Sequence, residues 1–181
     1  MAPTSLQERH APHARCFGCG PANERGLRIR SFPVDAANCW GEVVADWIPE
    51  PHHEAFEGVL NGGIIGTLLD CHSNWTAAWH LLVRDGRDGI PCTVTADFQV
   101  KLRRPTPSGV PLRLKAWAEE SEGERVTVKA ELAAEGKTTA TCRGHFMAVG
   151  PGHPAYHRWE RAGSGFGFRV SGFGFRVSGV G

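Results

Sequence analysis

The chain reads as an α+β protein: one antiparallel β-sheet wrapped around a single long central helix. Three observations predict it. Residues 92–102 alternate without a break, with Cys92, Val94, Ala96, Phe98, Val100 and Leu102 apolar and polar residues between them. Three more alternating runs follow at 110–118, 126–132 and 140–148, separated by short turn-forming stretches. Before them lies one segment of helix length, about 58–82, that is apolar on more than one face. Such a helix is wrapped by other structure rather than laid on a surface.

Each element follows from local chemistry. Two weaker strands are expected near 27–32 and 38–47. The helix carries Ile64, Ile65, Leu68, Leu69, Trp75, Ala77, Trp79, Leu81 and Leu82. It begins around Gly62-Gly63 and stops before Arg84-Asp85-Gly86. The later strands are separated by Pro105-Thr-Pro-Ser-Gly109, Glu122-Gly123-Glu124 and Glu135-Gly136-Lys137. Connections this short imply antiparallel hairpins. The order is β-β-α-β-β-β-β, which places one sheet on one buried helix.

The structured body is therefore 26–149. Residues 1–25 read as an irregular N-terminal arm carrying Cys16-x-x-Cys19 and three prolines. Residues 150–181 read as a disordered tail. Its end repeats Gly-Phe-Gly-Phe-Arg-Val-Ser from Gly165 and again from Gly172. A tandem repeat of seven nucleotides cycles through all three frames and returns after seven codons. GGTTTCG read this way encodes that heptapeptide, so 165–181 reads as translated repeat DNA.

Composition narrows the function. The chain has 181 residues with 20 Lys+Arg against 19 Asp+Glu, a net charge of +1, so no nucleic-acid partner is expected. No run approaches the length of a membrane-spanning helix, so no membrane insertion is expected. The first residues show no apolar secretory core. With six cysteines, the expectation is reduced thiols and a cytoplasmic location.

Chemistry concentrates at Gly58-Val59-Leu60-Asn61-Gly62-Gly63, with Asp70 two turns further on. Free N–H groups at a helix start suit an oxyanion or a polarised carbonyl. A carboxylate inside an apolar helix must be paired, hydrogen-bonded or solvated by a pocket. From the residues alone, a structural Asp and a catalytic one stand equal.

The run His53-Glu54-Ala55-Phe56-Glu57-Gly58-Val59-Leu60-Asn61-Gly62-Gly63, continuing to Asp70, resembles the signature of the hotdog-fold acyl-CoA thioesterases. The nearest branch is the phenylacetate-pathway type, with the related thioesterase-superfamily-member type. Thr95-Ala96 leading to Arg103-Arg104-Pro105 resembles the strand that follows the helix in that branch. The resemblance spans roughly residues 16–148. It implies a hotdog fold and a hydrolase that cleaves an acyl-CoA to free acid and CoA, with no metal or other cofactor required. It places Asp70 on the catalytic carboxylate, as general base or nucleophile. Gly63 falls on the backbone donor to the thioester carbonyl. Thr95 falls on a threonine that positions the water. His53 and Asn61 fall on the loop flanking the thioester. The sites lie between two subunits, so a homodimer is implied, or a homotetramer built as a dimer of dimers. The family commonly has His where this chain has Asn61; an amide still donates a hydrogen bond but does not titrate near neutrality.

Around this core the other candidates divide. Gly62 allows close approach of the substrate, and Arg103 and Arg104, with Lys101, read as CoA-phosphate ligands or as a solvated strand end. Glu54 and Glu57 read as solvated charges. Burial would raise the pKa of Asp70 toward neutrality. His72 reads as a core histidine with a backbone partner. Cys39, Cys71, Cys92 and Cys142 read as structural. Cys16 and Cys19 with His10 and His13 have spacing that suits a zinc half-site, a redox pair, or a tight turn packed on the barrel mouth, with packing as the expectation. Besides hydrolysis, acyl binding without turnover is carried as the alternative function. A dehydratase of the same fold fits the Gly-Gly-x6-Asp spacing less well.

Overall fold

The computed structural model describes residues 3–156 and 159. The repeat at 165–181 lies outside the described residues. A helix, α2 (Gly62–Asp85), runs through the middle of the molecule. Around it curls a six-stranded antiparallel sheet built from β1 (Phe32–Pro33), β2 (Val43–Trp47), β5 (Thr93–Leu102), β6 (Leu112–Glu122), β7 (Arg125–Ala134) and β8 (Lys137–Ala148). Their spatial order is β1-β2-β6-β7-β8-β5. A small hairpin, β3 (Glu54–Phe56) and β4 (Val59–Leu60), leads into the helix. A short helix, α1 (Leu6–His10), precedes everything.

The alternation read from the sequence places the core. Leu112, Leu114, Ala116 and Ala118 of β6 are buried, as are Val126, Val128, Ala130 and Leu132 of β7 and Ala140, Cys142 and Phe146 of β8. Between them Arg113, Lys115, Lys129 and Arg143 are exposed, whereas Thr127 and Thr139 are buried as well. The helix is buried from Cys71 through Leu81 without interruption. This all-round burial is what the apolar composition of the segment demanded.

Several expectations are corrected. Residues 27–31 form no strand, because Arg28 sits at φ 51° and breaks the extended chain. Leu27 and Ile29 instead donate to the carbonyls of Phe17 and Gly18. The strand expected from residue 38 starts at Val43, since Asn38 closes a turn on Trp40 and Gly41. The helix does start at Gly62, as the Gly62-Gly63 pair implies, and the residues before it turn at Gly58, φ 74°, into the β3–β4 hairpin. It runs on to Asp85 and is closed by Gly86 in the left-handed region. The arm read as irregular includes α1, capped by Ser5 and Glu8 in a reciprocal box, and buries Leu6, Ala11, Ala14 and Cys19 in the common core.

A buried polar string ties this arm to the helix. Gln7 Nε2 donates to Ser31 Oγ at 2.9 Å, and Ser31 N–H donates to Gln7 Oε1 at 2.8 Å. Ser31 Oγ meets His72 Nδ1 at 2.9 Å, and His72 Nε2 meets Val43 O at 3.1 Å. A carbonyl only accepts, so Nε2 carries the proton and Nδ1 accepts from Ser31. His72 is thus a core histidine with a backbone partner, neutral, with burial pushing its pKa down to about 4.

That depression makes stability pH-dependent. Below an unfolded value near 6.5 the unfolded chain gains a proton that the folded chain refuses until about pH 4. The stabilisation is complete above pH 6.5 and is lost as pH falls through that window. Urea unfolding at pH 7 and pH 5 is expected to show a loss of about 2 kcal/mol from this group. The same comparison in His72→Gln should be flatter by that amount; an equal slope would remove His72 as its source.

Candidate functional site

The sheet does not hold one register along β5. Thr95 pairs with Phe146 and Asp97 with His145, which leaves Ala96 as a bulge. A shift of one residue exchanges the faces of a strand. Before the bulge Thr93 and Thr95 face the helix; after it Phe98, Val100 and Leu102 take that side. Unbroken alternation would have turned Thr95 to solvent. Just past the bulge Phe98 pairs with Gly144, where a Cβ would lie 2.8 Å from the Phe98 Cβ and 3.0 Å from the Asp97 carbonyl. A side chain there would push the bulged strand away.

The inward turn of Thr93 and Thr95 builds a directed chain of hydrogen bonds. Thr93 Oγ1 donates to Asn74 Oδ1 at 2.8 Å, which fixes the amide and turns its Nδ2 toward β5. Asn74 Nδ2 donates to Thr95 Oγ1 at 3.3 Å. Thr95 Oγ1 donates to Asp70 Oδ1 at 2.7 Å. Asp70 and Asn74 stand one helical turn apart on the same face. Every donor in the string points toward the half-buried carboxylate, and Thr95 fixes its orientation. Its charge also helps push the Cys142 thiol up to about 11, after burial itself.

These groups line a cavity of about 320 Å³ whose wall includes Asp70, Thr95, Asn74, Trp75, Cys16 and Cys71. Trp159 closes it, stacked on Trp75 with centroids 4.5 Å apart. That tryptophan lies in the segment read as disordered tail. The cysteines of the arm also reach this cavity: Cys16, Cys19 and Cys71 place their sulfurs within 4.8 Å of one another. The Cys19 and Cys71 thiols donate to Cys16 and hold its pKa far down, while their own are pushed up. His10 and His13 are not part of this group.

At the other end of the site Asn61 is the helix N-cap. Its Oδ1 accepts the Gly63 N–H at 2.8 Å. The donor expected for a substrate carbonyl is therefore engaged by the neighbouring amide. Gly62 and Gly63 are exposed, and a Cβ on Gly62 would touch Leu102 at 3.5 Å. His53 lies behind, with its Nδ1 accepting from Glu50 N–H at 2.9 Å and its ring 4.9 Å from Trp47. Burial, then the neighbouring His52, holds its pKa down, so it is a neutral wall of the loop. Glu54 is half-buried on β3 and Glu57 exposed at the hairpin turn.

Arg103 and Arg104 are not brought to the carboxylate. Both backbone N–H groups donate to Thr139 O at the end of β5. The Arg103 side chain lies on the outer face of the sheet, with Lys101, Lys129 and Arg143 around Trp117 in a groove of about 290 Å³. Asp70 and Thr95 thus form one cluster, Asn61 to Gly63 a second, and Arg103 with its basic neighbours a third. Asn74 and Thr93 were missed. Their signals were present: Asn74 four residues after Asp70, and Thr93 two before Thr95.

No protein-family model matches the chain, and no curated relative does. Solved structures do. A thioesterase superfamily protein from Shewanella loihica is 26% identical, with a TM-score of 0.55 over 72% of this chain and 98% of that one. The PaaI protein of the phenylacetic acid degradation operon of E. coli is 17% identical, with a TM-score of 0.57 over 68% and 81%. A protein from Streptococcus mutans bound to acetyl CoA is 13% identical, with a TM-score of 0.55 over 67% and 89%. The chain has the hotdog fold, and structures that share it are thioesterase-superfamily and PaaI proteins, the type that the sequence resembles.

The cap geometry separates two roles of Asn61. Asn61→Ala should cost about 1 kcal/mol of stability in thermal or urea unfolding, and Asn61→Ser much less, because serine still caps. Equal losses in the two variants would show that the side chain acts other than as a cap.

Proposed function

We propose that the protein hydrolyses an acyl-CoA thioester to the free acid and CoA. The observation that carries this is the Thr93–Asn74–Thr95–Asp70 string, which aims a carboxylate into a cavity and fixes its orientation. Asp70 takes the proton of a water as it attacks the thioester carbon, or attacks the carbonyl itself to form a mixed anhydride that water then hydrolyses to the free acid. Thr95, as a positioning residue, holds the carboxylate in place. The C–S bond then breaks and the thiol leaves with a proton. The acetyl CoA bound by the Streptococcus mutans protein supports CoA as the carrier in this fold.

The carbonyl needs donors as well as a base. Gly63 and Asp70 are seven residues apart, about 10 Å along the helix. A base and an oxyanion donor each sit about 3 Å from the reacting atoms. One chain therefore supplies Asp70 to one centre and its Gly63 end to another. A second copy completes each site. Strand β5 is an edge strand, paired only with β8 among the described residues, and exposes Phe98 and Leu102 beside the start of α2. A partner that covers this edge brings its own Asn61–Gly63 corner toward Asp70. At that corner the Asn61 amide caps the helix and its Nδ2 offers a further donor to the carbonyl; release of the cap frees the Gly63 N–H. Arg103 lies on the outer face, where a CoA phosphate that leaves the cleft would meet it; Arg104, next to it in the chain, is the second candidate for that phosphate.

Acyl binding without turnover is the second reading, favoured by the engagement of the Gly63 N–H. Thiol release from aromatic and from short to long aliphatic acyl-CoAs distinguishes the two. Turnover is expected, reduced at least 100-fold in Asp70→Asn and more mildly in Thr95→Val. Acyl-CoA binding without any thiol release would establish the second reading. Sedimentation should show a dimer or a larger even assembly; a monomer that turns over would remove the shared site.

A further inference from the structure

The turn Cys16-Phe17-Gly18-Cys19-Gly20 is seated on α2 with little freedom. A Cβ on Gly18 would lie 2.4 Å from Cys71 Sγ and 2.8 Å from the Thr67 methyl. A Cβ on Gly20 would lie 2.5 Å from Cys16 N and 2.6 Å from the Ala14 carbonyl. Gly20 N–H closes the turn on Cys16 O at 2.9 Å. Leu27 and Ile29 tie its Phe17 and Gly18 carbonyls down at 2.7 and 3.0 Å. The outcome is that two sulfurs of the arm are pressed onto a third from the helix. Cys16 Sγ stands 3.7 Å from Cys71 Sγ, and all three sulfurs lie within 4.8 Å of one another.

A separation of 3.7 Å is far longer than a disulfide. It matches a different object. Zinc holds thiolates at about 2.3 Å, so two sulfurs on a zinc tetrahedron stand about 3.8 Å apart. The groups around the sulfurs have the right polarity. Trp75 Nε1–H donates to Cys19 Sγ at 3.3 Å, and the backbone N–H groups of Cys19 and Gly18 favour charge on Cys16. Thiols are poor acceptors, whereas N–H donors to sulfur are the usual outer support of metal thiolates. Packing alone would call for apolar neighbours, not for donors aimed at sulfur.

We propose that Cys16, Cys19 and Cys71 bind a zinc ion, with the fourth coordination position open to the cavity that holds Asp70 and Thr95. The ligand set differs from the one considered from sequence: the helix supplies Cys71, and the histidines of the arm are not needed. All three sulfurs line that cavity, so water or a thiolate occupant reaches the fourth position from inside it. Three thiolates and one open position are the pattern of a zinc site that exchanges a ligand. The ion would also clamp the arm to α2, since one zinc crosslinks residues 16 and 19 to residue 71. The proposal does not rest on thioester hydrolysis.

The test uses the full chain, purified without a histidine tag and incubated with zinc chloride alone. After gel filtration, elemental analysis is expected to give about one zinc per chain. Three of the six thiols should become at least tenfold slower toward a disulfide reagent, and a chelator should restore their reactivity. Cys39→Ala should keep the metal and Cys16→Ser/Cys71→Ser should lose it. Should that double variant fail to fold, thiol protection in the unaltered chain carries the test. Cobalt in place of zinc should give thiolate charge-transfer absorption that shifts when a small thiol is added. Sub-stoichiometric zinc with six equally reactive thiols would overturn the proposal. So would full zinc in the folded double variant, or a zinc-free chain whose Cys16 is oxidised to a disulfide in reducing buffer. A cobalt spectrum indifferent to added thiol would show the fourth position closed.

Discussion

The structure depends on enclosing α2 on nearly every side. A helix buried without a break from Cys71 to Leu81 brings His72, Asn74, Thr76 and His80 inside with its apolar residues. Each needs a partner, because an unpaired polar group in such surroundings costs on the order of a few kcal/mol. The partners come from different parts of the chain. His72 takes the arm and β2 through Ser31, Gln7 and Val43. Asn74 takes the start of β5 through Thr93 and Thr95. His80 takes the loop before β2 through the Cys39 carbonyl at 2.8 Å. Thr76 turns back to the His72 carbonyl at 2.9 Å. The polar residues of the helix thus select which segments wrap it, while the apolar ones supply the driving force.

Much of this architecture was legible in the sequence. Periodicity alone separated the central helix from the sheet, and short turns set the β6–β7–β8 meander. What periodicity could not show was local backbone choice. Arg28 at positive φ and the Asn38 turn each shorten or displace a strand by a few residues. Their cause lies in tertiary contacts: residues 27–29 abandon a strand because the Cys16–Gly20 turn offers them carbonyl partners. The arm looked irregular because its one helix has only five residues, too short for a period to register.

The candidate site was legible in a different way. Asp70, Thr95, Asn61 and Gly63 were named from a pattern of residue types that resembles a family, and position in space was not part of that pattern. The structure joins Asp70 to Thr95 directly, engages Gly63 with Asn61, and leaves Arg103 on the opposite face. Asn74 and Cys71 escaped because each looks ordinary along the chain. One is a polar residue in a helix and the other a small thiol. Their partners, Thr93, Thr95, Cys16 and Cys19, are at least 19 residues away.

The bulge at Ala96 shows why function and regularity part company here. An unbroken β5 would keep Cys92, Val94 and Ala96 on the helix side and make a wholly apolar contact. The chain instead turns Thr93 and Thr95 inward for two positions and then recovers the apolar phase at Phe98. The exchange replaces apolar area with hydroxyls, a stability cost unless each hydroxyl is satisfied. Asn74 satisfies both and passes the orientation on to Asp70. On the adjacent side of the same helical turns, Thr67 and Cys71 receive the glycine-bearing turn of the arm. Two departures from regular packing, a bulged strand and a side-chain-free turn, therefore meet α2 on either side of Asp70. The cavity lies between them, and those departures place hydroxyl, amide and sulfur in its wall beside the Asp70 carboxylate.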